Sequence, residues 1–227
     1  MSFFQRLVTE SQTHRQSLLG APIIQAALSG TVTRESYQAF LQEAYHHVKH
    51  TVPLLRATRD ALPAHHQWLI EPLNEYIEEE TGHEAWILDD IVACGGDRSH
   101  AEHSQPAPAT ELMVAYAYDT IARGNPLGFF GMVHVLEGTS VSLALMAADA
   151  IQSTLALPNA AFGYLRSHGT LDLEHTDHFE SLMGSIERPE DQDAIVHAAQ
   201  MFFRLYGDVF RGLPMPSVVA PQELACH

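Results

Sequence analysis

In the segment HGTLDLEH, His168, Asp172 and His175 stand at positions i, i+4 and i+7. A helix advances about 100° per residue, so these three side chains fall within a sector of about 60° on one face. Two imidazoles and a carboxylate side by side form a donor mixture that suits iron, manganese or zinc. A second acid–imidazole pair, Glu80 and His83, occurs in YIEEETGHEAW. At a spacing of three these are also neighbours on one helical face, although Glu78 and Glu79 compete for the acid's place. Glu137 in HVLEGTS stands alone behind Val133, Val135 and Leu136. An unpaired ionised carboxylate in an apolar interior costs several kcal/mol, and a bound cation removes that cost.

Each element taken singly has a plain structural explanation. Glu80 and His83 can be a surface pair, and Glu137 can be a buried acid bonded to an arginine or tyrosine. Together, three acids and three histidines suffice for two divalent ions about 3.5–4 Å apart, with one carboxylate bridging and positions left open for oxygen or substrate. That balance favours redox-active iron. A closed zinc site wants four tetrahedral ligands, usually thiolates, and neither Cys94 nor Cys226 is near these motifs in the sequence.

The order of these residues resembles the haem-oxygenase-like di-iron oxidases and oxygenases, relatives of TenA and PqqC, over most of the chain. The resemblance implies an all-α, haem-oxygenase-like bundle of about seven to eight helices. It also implies a ligand set of Glu80, His83, Glu137, His168, Asp172 and His175 holding two iron ions, with dioxygen as co-substrate. The substrate expected from it is a small amine, amino acid or fatty acid-like molecule, with an external reductant where needed, in a protein that forms homodimers. Three branches of the superfamily fit less well. TenA hydrolases use a mid-chain cysteine nucleophile, self-sacrificing oxidases donate a lysine near the metals, and PqqC-like members carry no metal. Here Cys94 ends a helix, Cys226 lies in the tail, and the single lysine, Lys49, is on another helix.

Two rivals remain. A ferritin-like four-helix bundle takes a glutamate, an ExxH, a glutamate and a second ExxH in order. Glu43, Glu80 with His83, Glu137, and Asp172 with His175 mimic that order, so the rival needs Glu43 where the first reading needs His168. The other rival is a metal-free TenA-like hydrolase or small-molecule binding protein. Among the remaining histidines, His46, His47 and His50 crowd one helix, His134 is placed to orient Glu137 from behind, and Asp177 and His178 extend the last motif toward solvent.

These residues need helices to position them, and the sequence supplies little else. Helical periodicity recurs throughout, without the alternating β-branched runs of strands. It predicts helices over about 2–19, 23–28, 33–62, 66–93, 110–123, 125–154, 160–186 and 189–210, with possible interruptions at Pro72 and Gly169. Gly95-Gly96 supplies a helix stop, the polar stretch 96–108 reads as a loop, and the proline-rich 212–227 reads as an extended tail after a single domain over 1–211.

Composition narrows function further. With 46% hydrophobic and 18% charged residues, the 227-residue chain has material for one core and no bias toward disorder. A formal charge of -16 repels phosphate backbones and anionic lipid, so neither nucleic acid nor membrane is an expected partner. The amino terminus lacks the apolar run of a signal peptide, and two cysteines without CxxC spacing make no disulfide framework, so a cytoplasmic address is expected.

Overall fold

The computed structural model describes residues 1–215, without the side chains of Ser142 and of residues 168–176. It is helical throughout: α1 (Phe3–Leu19), α2 (Pro22–Leu28), α3 (Arg34–Val48), α4 (Thr51–Asp60), α5 (Ile70–Glu80), α6 (His83–Ala93), α7 (Arg98–His103), α8 (Pro108–Arg123), α9 (Phe129–Leu155), α10 (Gly163–Gly184) and α11 (Pro189–Gly212). Short 3-10 turns precede α5, α9 and α10. No single helix among the described residues is long and apolar enough to cross a membrane.

Local chemistry sets most of the boundaries. Ser2 accepts from the amide of Gln5, whose side chain answers to the Ser2 amide; Thr33 accepts from the Ser36 amide. Such caps are each worth about 1 kcal/mol. At the end of α6, Gly95 is left-handed (φ 82°) and the Gly96 amide bonds the Ile91 carbonyl at 2.8 Å, which satisfies carbonyls the helix leaves open.

Among the described residues there are eleven helices, somewhat more than the expected seven or eight, for three local reasons. The run predicted over 33–62 breaks at Lys49 and His50, because Pro53 has no amide for the Lys49 carbonyl and its ring crowds that oxygen. The run over 66–93 breaks at Thr81 and Gly82. The predicted loop 96–108 contains α7, whose amide at His100 is capped by Asp97 and whose Ala101 is buried. By contrast α10 passes Gly169 without interruption.

α9 is the central helix, packed against α10, α11 and α2, while α1 lies along α11 and α3 along α6. The contact of α9 with α11 is close. A Cβ on Gly131 would stand 2.5 Å from the Ala199 amide nitrogen and 2.8 Å from the Ile195 carbonyl, so only glycine fits there. Phe129, Phe130, Phe162, Phe202 and Phe203 are all fully enclosed, and such aromatic groups dominate the apolar area that folding removes from water. Beyond α11, Leu213 is buried, the Pro214 carbonyl accepts from Ser36 at 2.7 Å and Met215 is exposed; residues 216–227 of the expected tail lie outside the described residues.

Candidate metal centre

Glu80 is the last residue of α5 and His83 the first of α6. Between them Thr81 is extended (ψ 116°) and Gly82 takes φ 98°, a region that side-chain-bearing residues avoid. The two are therefore not neighbours on one helical face, as their spacing had suggested. They meet across a turn between two helices. The His83 Nδ1–H donates to Glu80 Oε2 at 3.1 Å, and the side chains are 6% and 12% exposed. The His83 ring also stacks on Trp86, 4.1 Å between centroids and 26° from parallel, which fixes its plane.

Glu137 projects from α9 into the same cavity that Glu80 lines. The cavity has a volume of about 160 Å³, and its walls are largely apolar, with Ile24, Leu28, Phe40, Leu143, Ala147 and Phe210 among them. Polar edges come from His47, Tyr76, Tyr206 and Ser140. The Ser140 Oγ is buried with no hydrogen-bond partner among the described residues, one helical turn from Glu137. Burial pushes the Tyr206 phenol well up, so it stays a neutral hydroxyl. His168, Asp172 and His175 belong to the unbroken α10, and their side chains lie outside the described residues.

Two carboxylates entering a largely apolar cavity from separate helices form a negative site that fits a cationic guest. The donor set is oxygen-rich with imidazole and contains no thiolate, which fits iron or manganese better than structural zinc. Glu80 and Glu137 are thus suited by chemistry and placement to hold metal, and His83 joins them through its bond to Glu80 without lining the cavity itself.

Other residues singled out in the sequence have different work. The carboxylate of buried Glu43 accepts from the Ala107 amide at 3.1 Å and from the Thr110 hydroxyl, so it secures the start of α8. His46 bonds the Ser104 hydroxyl at 2.9 Å, and His50 bonds the Tyr118 hydroxyl at 3.1 Å. His134 does not orient Glu137. It stacks on Phe179 at 6.1 Å, meets Phe4 and Phe203 edge-on, and lies 3.5 Å from the Ser11 hydroxyl. Burial first, then the Arg15 charge, lowers His134 to about 4, so the ring is neutral.

His47 was the histidine of α3 to single out. Its Nδ1–H donates to the Glu43 carbonyl at 2.9 Å and its ring lines the cavity. The signal available was its place in the stripe Phe40, Ala44, His47, an imidazole following apolar positions at helical spacing.

Solved structures with this arrangement of helices share the haem-oxygenase-like fold. A domain of unknown function with a heme oxygenase-like fold from Shewanella denitrificans OS217 superposes with a TM-score of 0.82 at 27% identity, covering 91% of this chain and 90% of that one. A TenA homologue from P. horikoshii OT3 gives a TM-score of 0.77 at 11% identity over 92% of this chain and 97% of its own. Heme oxygenase-1 from Synechocystis sp. PCC6803, in complex with heme, gives 0.71 at 12% identity over 92% and 91%. The last two likenesses are of fold alone. No curated protein matches the sequence. The iron-containing redox enzyme family matches residues 38–207, most of the chain, and the protein belongs to that family.

Proposed function

We propose that the chain is an oxygen-dependent, non-haem di-iron oxidase or oxygenase acting on a small organic molecule with an apolar portion, of amine, amino acid or fatty acid-like type. One observation carries the reading: in a member of an iron-containing redox family, Glu80 and Glu137 reach from different helices into one largely apolar cavity. Glu80, His83 and Glu137, with His168, Asp172 and His175 from α10, would hold the ions. Bound iron supplies the redox chemistry with dioxygen that no side chain can perform alone.

The protein's own residues do the rest. Walls such as Ile24, Phe40 and Leu143 exclude water and receive the apolar part of a substrate. The neutral Tyr206 phenol and the Ser140 hydroxyl offer donors for its polar end. His83 is held by Glu80 at Nδ1, which turns Nε2 to the other side of the ring.

The test is iron bound per chain after purification from iron-replete medium. His168→Ala should lose most of its iron, whereas Glu43→Ala should keep it per folded chain and be destabilised by about 1–3 kcal/mol through the stranded Ala107 amide and Thr110 hydroxyl. The reverse order would favour the ferritin-like ligand set. Wild-type protein with less than about half an equivalent of any transition metal would favour the metal-free hydrolase or binding protein instead.

A further inference from the structure

A second group of possible ligands lies away from the cavity. His65 and His66 sit in the 3-10 turn Ala64–Leu69, where His66 departs from helical geometry (φ -109°, ψ 15°). The two rings lie 4.3 Å apart between centroids. The third member, Asp191, is in the first turn of α11. One ligand atom from each of His65, His66 and Asp191 lies within 4.8 Å of the others, and this is the one such cluster of three among the described residues. None of the three lines the cavity. Asp191 is 19 residues before Phe210 on α11, about 28 Å along the helix from that part of the cavity wall.

The hydrogen bonds assign the histidine's two nitrogens. His66 Nε2–H donates to Asp191 Oδ2 at 2.7 Å, with both side chains 5% exposed. Asp191 Oδ1 accepts from Asn125 Nδ2 at 2.6 Å, and Arg188 Nε stands 3.5 Å from Oδ2. The carboxylate is thus held on both sides and fixes the tautomer. His66 Nδ1 is left with its lone pair, buried and without a hydrogen-bond partner among the described residues. A stranded buried polar atom costs about 1–3 kcal/mol. An imidazole backed by a carboxylate, its other nitrogen unprotonated, is the arrangement that ligates a metal ion.

We infer that His65 and His66, with Asp191 behind His66, form a mononuclear site for a divalent transition-metal ion of the zinc class, separate from the candidate di-iron centre. Imidazole ligation selects this class over calcium and magnesium, which take oxygen donors. His65 is exposed and gives the ion a path from solvent, with water completing its coordination.

The full-length protein, stripped with EDTA and titrated with zinc chloride by calorimetry, tests this. The wild type should show one zinc equivalent that His65→Ala lacks or binds at least about tenfold more weakly, and Asp191→Asn should weaken the same step about 10–100-fold. His65 is exposed, so the unfolding temperature of His65→Ala in EDTA should match wild type. Zinc bound at Glu80 and Glu137 would appear equally in wild type and His65→Ala, so failure of the di-iron reading leaves this comparison intact. Superimposable isotherms for the two proteins, or a wild type that takes up no zinc, would overturn the site and leave the His66–Asp191 bond as a tie between α11 and the turn before α5.

Discussion

The thiol of Cys94 closes α6 with no solvent exposure, and burial, helped by Asp90, pushes it up to about 12. It is absent from the cavity wall. A protonated, enclosed thiol is a poor nucleophile, which argues against Cys94 as a hydrolytic nucleophile. In a Cys226→Ser background, native Cys94 should react with Ellman's reagent far more slowly than the same protein in denaturant; fast native labelling would contradict this picture. At the scale of single residues, much was legible beforehand. An acid isolated among valines and leucines, such as Glu137, reveals itself because its burial needs a reason. Glu43 was ambiguous for the opposite cause: the groups that satisfy it, Ala107 and Thr110, are 64 and 67 residues away in the chain, and no local pattern points to them.

Among the elements, helix starts and stops written in short-range chemistry, the Thr33 cap and the Gly95-Gly96 end, were readable from the sequence. Interruptions within apolar-periodic runs were not, because the stripe keeps its period on both sides of the break. Gly82 is the consequential case. A Cβ there meets nothing within 4 Å, so Gly82→Ala adds no collision, and its whole effect comes from φ 98°. Alanine in such a conformation costs about 1–2 kcal/mol. The expected result is a lower unfolding temperature together with less iron per chain, as the turn joining Glu80 to His83 relaxes. Unchanged values for both would mean that the turn does not set the spacing of that pair.

For the molecule as a whole, acidity should matter through buried histidines. Burial lowers His134 and His46 to about 4, and lowers His50 as well. Each binds its proton less tightly folded than unfolded, so its contribution is complete above the ordinary value near 6.5 and is lost as pH falls toward 4. Asp90, raised to about 6 by burial against the pull of the Tyr164 and Gly163 amides that favour its charge, acts oppositely and favours the fold at lower pH. Two strongly lowered histidines outweigh one raised acid, so the unfolding temperature should drop between pH 6.5 and 4.5. His134→Phe, which keeps the ring contacts, should flatten that drop, since a fully realised shift of this size is on the order of 3 kcal/mol. A slope equal to wild type would place the acid sensitivity elsewhere.

The parting of α5 from α6 bears on how such a protein would be assembled in the cell. Because Glu80 and His83 belong to separate rods joined by a left-handed glycine, an ion held by both, as proposed above, would work as a clasp. Without such an ion the two rods are joined there by the Thr81-Gly82 turn and the Glu80–His83 bond alone, and a shared ion would add a second tie across the same corner. On the proposed reading, metal uptake and the stiffening of this corner would be one event, so the ion would add stability only to the folded arrangement that brings the two rods together.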